Sequence, residues 1–159
     1  MRRTHFTEMN CSVAQTLEIV GEWWTLLIVR DALFGVTRFD DFQNRLGIAR
    51  NILTLRLETL VDHGVMVKDQ YQDKPIRYDY RLTKRGKDLW MVIAAMRQWG
   101  DIWLADGGPP LEFVHRTCGC SMTIQPVCSA CAHVVDRESL SSIPGPGASR
   151  EDLPPGPSR

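Results

Sequence analysis

The fold is decided by the stretch RFDDFQNRLGIARNILTLRLETLVDHGVM, which spans residues 38–66. Its first third has apolar residues three and four positions apart, which predicts a short helix that ends at Gly47. The segment that follows places Leu53, Leu57 and Leu60 on one face and so predicts a second, amphipathic helix. Two helices joined by a tight glycine turn, the second with a polar outward face, indicate a helix-turn-helix.

Two more helices are predicted on the N-terminal side of this stretch. Ser12 can cap a short helix that Gly21 ends. The segment EWWTLLIVRDALFG, residues 22–35, is apolar on most sides and predicts a buried central helix. The helix-turn-helix is therefore expected to pack on a hydrophobic support.

After Gly64 the pattern changes from helical spacing to alternation. VMVKDQYQDKPIRYDYRLT, residues 65–83, predicts two strands joined by the turn QDKP, residues 72–75, with a basic tip. Thr83 can then cap a last helix of about five turns. Its apolar residues are Leu89, Val92, Ile93, Met96, Trp99 and Trp103. Such a helix is too apolar to stay unpaired, and DGGPP after it breaks the pattern.

This order of elements is that of a winged helix-turn-helix, a mainly α fold with a small β-hairpin wing (α+β). A helix fits the major groove of DNA, and side chains on its outward face near its start can contact base edges. The predicted base-contacting face carries Arg50, Asn51, Thr54 and Leu55. Arg50 can pair with guanine and Asn51 with adenine, and each good contact is worth about 1–3 kcal/mol of discrimination.

Basic residues outside that face complete the predicted DNA surface. Lys74 and Arg77 at the hairpin tip would contact backbone phosphate or the minor groove, which adds salt-dependent affinity and little sequence choice. Arg56 either binds phosphate or braces the domain. The predicted partner is double-stranded DNA.

Five segments together resemble the HxlR-type (MarR-like) winged helix-turn-helix transcriptional regulators. They are CSVA at 11–14, GEWWTLLIVRDALFG at 21–35, RFDDFQNRL at 38–46, ILTLRLETLVDHGVM at 52–66 and KPIRYDYRLTKRG at 74–86. The resemblance runs from Cys11 to about Gly100. It implies a homodimer, held by the first and last helices, that binds a two-fold-related operator and acts on nearby genes as a repressor or as an activator.

The sequence departs from the family pattern at two positions. Ala49 stands where the family usually has Ser, which removes a capping hydroxyl at a cost of about 1 kcal/mol. Ser12 stands where the family usually has Pro after the N-terminal cysteine. The first of these departures affects where the DNA-contacting helix begins.

The resemblance also suggests a response to an effector. In some relatives the cysteine equivalent to Cys11 senses oxidants or electrophiles, and a position beside a helix N-terminus favours the thiolate. The alternative for Cys11 is a small residue packed at the dimer interface. A small molecule could bind near Trp23, Trp24 and Trp99, although such aromatic residues also serve as plain core.

The composition fits one globular domain plus an appendage, with 159 residues, 43% hydrophobic and 24% charged. The net charge of zero hides an uneven distribution: residues 38–87 hold eleven basic and seven acidic residues, whereas residues 101–159 hold four and seven. A basic middle favours an anion-binding surface in one module. No apolar run suits a membrane span and MRRTHFTEMN has no signal-peptide core, so we expect a cytoplasmic protein.

The segment HRTCGCSMTIQPVCSAC, residues 115–131, holds four of the five cysteines. Cytoplasmic thiols are kept reduced, which favours metal ligands over disulfides. The pattern H-x2-C followed by C-x2-C is typical of a structural zinc site with four protein ligands. The predicted ligands are His115, Cys118, Cys128 and Cys131. Cys120 and His133 are alternative ligands, and reduced cysteines without metal are the remaining hypothesis.

Two catalytic interpretations of this segment are weaker. A redox pair of cysteines normally lies in a thioredoxin-like βαβ setting, which the sequence lacks. A zinc deaminase needs an upstream His-x-Glu, and HRT at 115–117 has no Glu. Neither paired carboxylates nor a nucleophile with its base stands out elsewhere, so we expect no enzymatic activity.

The predicted division has three parts. Residues 1–106 form the winged helix-turn-helix with its dimerisation helix, 107–142 a zinc-ribbon-like extension, and 143–159 a disordered tail rich in Pro and Gly. The predicted function is a sequence-specific DNA-binding transcriptional regulator. The alternative is a protein–protein interaction module that uses the extension and has weak or no specific DNA binding.

Overall fold

The computed structural model describes Phe6 and residues 8–148. These residues divide into two compact units, one that ends at Met91 and one that comprises Val92–Ala148. The elements are α1 (Ser12–Val20), α2 (Trp23–Leu33), α3 (Phe39–Leu46), α4 (Arg50–Asp62), β1 (Met66–Asp73), β2 (Ile76–Leu82), α5 (Lys84–Asp88) and α6 (Trp90–Trp103). The predicted fold, helices followed by a hairpin wing, is confirmed. Most of the predicted tail, residues 149–159, lies outside the described residues.

The core of the first unit lies beneath α4. Leu53, Leu57 and Leu60 are fully buried, as their spacing predicts, and α4 packs against α2, α3 and β1. Phe42 and Ile28 from the neighbouring helices are fully buried in the same unit. Each such side chain contributes about 1.5–3 kcal/mol relative to an exposed one. The inward face of α4 therefore fixes which of its residues point outward.

A buried carboxylate ties α2 to α3. Asp31 is 1% exposed, and its Oδ1 lies 2.8 Å from a terminal nitrogen of Arg30. Its Oδ2 accepts a hydrogen bond of 3.2 Å from Nε of Arg45 on α3. Gly47 then ends α3 with φ 63°, a left-handed conformation that glycine adopts without strain. The contact of Asp31 with Arg45 and the left-handed turn at Gly47 together fix the direction in which the chain enters α4.

The wing differs from its prediction in the position of the turn. β1 continues to Asp73, which pairs with Ile76 of β2, so the turn is Lys74–Pro75 and not QDKP. The antiparallel register shifts between Gln70 and Gln72, which leaves Tyr71 as the extra residue of a β-bulge. β1 is therefore longer than predicted, since Gln72 and Asp73 belong to the strand, whereas β2 begins at Ile76 as predicted.

The predicted cap at Ser12 is wrong by one residue. Cys11 is the N-cap of α1, with extended backbone angles and no side-chain hydrogen bond to the helix. Ser12 is already helical, and its carbonyl oxygen accepts a hydrogen bond of 2.8 Å from the hydroxyl of Thr16. The helix therefore begins one residue earlier than predicted, because the last residue with extended backbone angles is Cys11 and not Ser12.

The single long helix predicted after Thr83 is two helices. Thr83 caps the short α5, where its Oγ1 accepts from the backbone N–H of Gly86, and α6 begins only at Trp90. Leu89 separates them, and its N–H donates to Gly86 at 3.2 Å, a bond that tightens the last turn of α5. Gly86 is buried, and a Cβ there would collide with the carbonyl oxygen of Val65. Glycine, a weak helix former, is therefore required within the short α5.

The second unit contains most of α6 and the extension that follows it. The side-chain amide of Gln98 accepts from the N–H of Ile124 at 2.6 Å and donates to its carbonyl at 3.0 Å. The guanidinium of Arg97 stacks on Phe113, 4.2 Å from its ring centre, and donates to the carbonyl of Leu111. The predicted division put α6 with the winged helix, whereas the structure groups it with the extension. No helix in residues 8–148 is long and apolar enough to cross a bilayer.

Candidate nucleic-acid interface

The outward face of α4 begins at the first residue of the helix. Arg50, Asn51, Thr54 and Leu55 are all exposed, while Leu53 and the other core leucines of α4 are buried. Ala49 is the N-cap and makes no side-chain hydrogen bond, as expected for an alanine in place of serine. The four side chains predicted to contact bases therefore lie together on the solvent side of one helix.

Two contacts position residues on this face. The guanidinium of Arg50 lies over the ring of Phe39, 4.8 Å from its centre. Since these are the first residues of α4 and α3, the contact joins the N-terminal ends of the two helices. The hydroxyl of Thr54 donates to the carbonyl of Arg50 at 2.9 Å. Since that hydroxyl is bonded within the helix, Thr54 presents mainly its methyl group to a partner.

A cleft of about 610 Å³ separates this face from the wing. Its walls come from α3, α4 and both strands. The lining residues are Arg38, Phe39, Asp40, Asp41, Arg50, Thr54, Tyr71, Pro75, Ile76, Arg77, Tyr78 and Tyr80. Arg50, Thr54 and Arg77, which the sequence predicted as DNA contacts, are thus brought to one cavity. Its three arginines outnumber its two aspartates, which favours an anionic partner.

The wing is fastened to the loop before α3. The backbone N–H of Tyr80 donates to the carbonyl of Thr37 at 2.7 Å, and Thr37 Oγ1 donates to Asp79 at 3.0 Å. Arg38 and Asp79 form an isolated antiparallel bridge at the same place. Burial raises the pKa of the Tyr80 hydroxyl above its ordinary value. These bonds hold the wing at a defined distance from the start of α3.

The basic side chains of the wing are exposed. Arg77 lies 3.7 Å from the carboxylate of Asp40 on α3, and both side chains are about half exposed, at 49% and 61%. Lys74 occupies the turn, where its carbonyl accepts from the amide of Gln72 at 3.0 Å. An ion pair as exposed as that of Arg77 is worth about 0–1 kcal/mol, so a phosphate can replace the carboxylate at little cost.

Arg38 is a cleft residue that sequence reasoning missed. Its side chain is 60% exposed and lies over the ring of Tyr71, 4.9 Å from the ring centre. Tyr71 is the bulged residue of the wing, so this contact depends on the β-bulge. The signal available in the sequence was a basic residue directly before the predicted third helix, in RFDD.

Comparison with known proteins identifies the family to which this geometry belongs. Residues 19–107 match the profile of the HxlR-like helix-turn-helix family, which is more than half of the chain. The chain belongs to the HxlR family. It is a DNA-binding transcriptional regulator, and its family consists of regulators, a class that is in general not enzymatic. The interaction-module alternative is not favoured.

Relatives of this HxlR-type chain differ in how much of it they cover. The HTH-type transcriptional regulator Rv3095 of Mycobacterium tuberculosis is 42% identical over 137 residues, 86% of this chain and 87% of its own. The crystal structure of PA1607 has a TM-score of 0.79 at 36% identity and covers 88% of this chain and 99% of its own. The redox regulator HypR in its reduced form has a TM-score of 0.54 at 28% identity and covers 58% of this chain and 92% of its own.

Arg56 lies away from the cleft of this HxlR-type regulator. Its side chain is 11% exposed, and a terminal nitrogen lies 2.9 Å from the carboxylate of Glu22, the N-cap of α2. Of the two roles predicted from the sequence, bracing is the one that this contact supports. Glu22 was not singled out from the sequence, because a charge before an apolar helix is common.

The remaining predicted site residues are in the second unit or near the N-terminus. Cys11 is exposed. In the extension, Nδ1 of His115 lies 3.4 Å from Sγ of Cys118. Hydrogen bonding from the backbone N–H groups of Cys131 and Ala130 lowers the pKa of the Cys128 thiol, and the Cys131 thiol makes a smaller contribution in the same direction. Within Phe6 and residues 8–148, His, Cys, Asp and Glu side chains do not converge in threes to form a metal-holding group. The four predicted ligands thus lie as two pairs.

Proposed function

We propose that this HxlR-type regulator binds a two-fold-related operator as a homodimer, with α4 in the major groove and the wing on the backbone. The observation that carries the proposal is the outward face of α4, where Arg50, Asn51, Thr54 and Leu55 are exposed beside a basic cleft. Two-fold symmetry would place the two α4 helices about one turn of DNA, roughly 34 Å, apart.

The residues at the start of α4 would provide sequence choice. Arg50 would donate two hydrogen bonds to guanine and Asn51 would pair with adenine, for about 1–3 kcal/mol of discrimination each. The stacking of Arg50 on Phe39 restricts its guanidinium before DNA arrives, which reduces the entropy lost on binding. Thr54 and Leu55 would offer apolar contact to a thymine methyl group.

The wing would provide affinity without sequence choice. Lys74 and Arg77 would bind backbone phosphate, and Arg38 joins them because it lines the same cleft as Arg77. Binding would move Arg77 from Asp40 to a phosphate. Arg56, which pairs with Glu22, would keep α4 attached to α2 and make no DNA contact.

Exposed apolar faces on α1 and on α6 support the homodimer. On α1, Val13 and Leu17 are 68% and 47% exposed at helical spacing. On α6, Met96, Trp99 and Trp103 are 54%, 59% and 68% exposed and follow one stripe. Contiguous apolar stripes of this kind mark protein–protein contacts. Sedimentation equilibrium of the full chain should give a dimer, and Trp99→Glu should shift it to monomer; a wild-type monomer at micromolar concentration would exclude this part of the proposal.

DNA binding can be measured with fragments from upstream of the protein's own gene, against an unrelated fragment of equal length. We expect Arg50→Ala and Asn51→Ala each to lose about 5–150-fold in affinity for the specific fragment only. Lys74→Ala should weaken both fragments alike and reduce the slope of log affinity against log salt by about one. Arg137→Ala, which removes a charge from the second unit, is the matched control and should change neither. Equal affinity of the wild type for both fragments would contradict the proposal.

A response to oxidants is a further part of the proposal, supported by the exposure of Cys11 and by the likeness to a redox regulator. Diamide would convert two thiols into a disulfide and be reduced to the hydrazine, and the protein should then release DNA. A Cys11→Ser variant should stay bound; equal release from both proteins would rule Cys11 out. A small-molecule effector is the alternative to an oxidant, and the cytoplasm is the proposed site of action.

A further inference from the structure

The extension contains two loops with the same backbone framework. In the first, Val114 and Ser121 form an isolated antiparallel bridge, and in the second Val127 and Val134 do the same. Each bridge joins residues seven positions apart, and the second loop repeats the first thirteen residues later. The chain thus builds one loop geometry twice within a short segment.

The hydrogen bonds of the first loop define this geometry. The N–H of His115 donates to the carbonyl of Cys120 at 2.9 Å, and the N–H of Gly119 donates back to the carbonyl of His115 at 2.8 Å. The N–H of Met122 donates to Phe113 at 2.7 Å below the bridge. Gly119 has φ 72°, so the chain reverses through a left-handed residue.

The second loop has each of these bonds at the equivalent position. Cys128 donates to His133 at 2.9 Å, Ala132 donates to Cys128 at 2.8 Å, and Val135 donates to Pro126 at 2.9 Å. Ala132, equivalent to Gly119, has φ 59°, and it is the one non-glycine residue with positive φ in residues 8–148. An L-residue pays about 1–2 kcal/mol for this conformation, so the loop holds its shape against strain.

Loop positions are counted from His115 in the first loop and from Cys128 in the second. The repeated framework places residues with donor atoms at the first and fourth positions of each loop. In the first loop these are His115 and Cys118, whose Nδ1 and Sγ lie 3.4 Å apart. A tetrahedral zinc ion with bonds of about 2.1 Å to nitrogen and 2.3 Å to sulfur holds such atoms about 3.5 Å apart. In the second loop Cys128 and Cys131 occupy the same positions. The first loop thus presents two ligands at the spacing that one metal ion requires, and the repeated framework puts the second pair at the equivalent positions.

The framework also distinguishes the four proposed ligands from the two remaining residues that could bind a metal, Cys120 and His133. Cys120 and His133 share the sixth position of their loops, next to the bridge. The thiol of Cys120 is directed to the carbonyl of Cys118 at 3.7 Å, not to the His115–Cys118 pair. The equivalence of the loops therefore favours the first and fourth positions as ligands.

The extension needs a source of folding free energy other than a core. In Val92–Ala148 the one buried apolar residue is Ala94, which belongs to α6. The valines that close the loops are exposed, with Val114 and Val127 at 54% and Val134 at 64%. A segment that buries so little depends on a metal, a disulfide or a partner, and metal binding supplies folding free energy directly.

We propose that His115, Cys118, Cys128 and Cys131 bind one Zn²⁺ ion that joins the two loops. Three thiolates and one imidazole favour zinc over the hard cations, and four protein ligands leave no position for a substrate, so the site is structural. The ion draws the two pairs into one tetrahedral set. Gln98 holds the connection between the loops at Ile124, so the closed site is attached to α6.

Metal analysis of the full-length protein tests the proposal. Protein purified without chelator should contain about one zinc per chain, and cobalt exchanged into it should give the intense visible bands of tetrahedral coordination with thiolate charge transfer. Less than half an equivalent of zinc, iron in place of zinc, or the weak spectrum of six-coordinate cobalt would overturn the proposal.

Variants test the ligand set. Cys118→Ser, Cys131→Ser and His115→Ala should each fall below half an equivalent, whereas His115→Cys should keep the metal as a four-thiolate site. Cys120→Ser and His133→Asn are matched controls from the sixth positions and should keep a full equivalent. Loss in a control with retention in Cys118→Ser would overturn the assignment. Helical circular dichroism and DNA affinity report the first unit separately, and the His115→Cys result distinguishes ligand loss from misfolding.

Discussion

The two units of the molecule are each stabilised internally by different interactions. The first unit buries its large apolar side chains beneath α4, where Leu53, Leu57 and Leu60 have no exposed surface. The second unit has bridges, backbone hydrogen bonds and the side chains of Arg97 and Gln98, but its extension buries no apolar residue fully. The comparison indicates that buried side-chain volume stabilises the first unit, whereas hydrogen bonds set the loop geometry of the second unit and its extension needs a further source of folding free energy.

The largest effect is expected in the core of the first unit. Leu57→Ala removes a fully buried side chain beneath α4 and leaves a cavity, so the free energy of unfolding should fall by about 2–5 kcal/mol. Urea denaturation followed by helical circular dichroism measures this change. A loss below 1 kcal/mol would mean that the region beneath α4 is not a close-packed core.

A polar contact in the same unit should be the next largest. Asp31→Asn keeps the shape of the side chain but removes the charge that Arg30 and Arg45 share, at an expected cost of about 1.5–3 kcal/mol. Asp69→Asn is the control, because its pair with Arg81 is exposed on both sides. The same urea experiment should separate the two variants, and equal values would show that burial of Asp31 has no energetic consequence.

The second unit should lose local order without loss of the first. Gln98→Ala removes both bonds to the backbone of Ile124, a local cost of about 1–2 kcal/mol. The amide of Ile124 should exchange hydrogen about 5–30 times faster, while amides of α4 should be unchanged. The exposed Gln125→Ala is the control. Parallel acceleration in α4 would argue against two independently stabilised units.

The smallest effect is expected where a valine is exposed. Val127→Ala truncates a residue that closes the second loop but is 54% exposed, so the change should stay within about 0.5 kcal/mol. Its contrast with Leu57→Ala, also an aliphatic truncation, is the direct test of the difference between the units. A Val127→Ala loss comparable with that of Leu57→Ala would place a hidden core in the extension.

Much of the first unit could be predicted because its burial follows regular spacing. The leucines of α4 and the alternation of the wing identify the elements that face the core, and this also assigns Arg50 and Asn51 to the opposite side. The family resemblance strengthened this interpretation and led to the confirmed regulatory function. The individual DNA contacts stay a prediction.

Other features depend on contacts that spacing does not encode. Tyr71 is a bulged residue, and alternation cannot reveal an extra residue in one strand. Arg38 belongs to the cleft only because the wing returns beside it. Asp31 follows Arg30 in an otherwise apolar run, and spacing does not show that its carboxylate is buried. The repeat of the two loops could have been sought by comparing HRTCGC with CSACAH, but it becomes evident only from their hydrogen bonds.

The left-handed backbone of Ala132 has a consequence for the chemistry of that position. With φ at 59°, this alanine has the conformation that a D-amino acid prefers, since mirror-image residues reverse the steric preference of the backbone. D-alanine, introduced by chemical ligation of a synthetic C-terminal segment, would keep the same atoms and relieve the crowding at Cβ. The steric crowding at this residue therefore comes from the L configuration of alanine, and not from the size or polarity of its side chain.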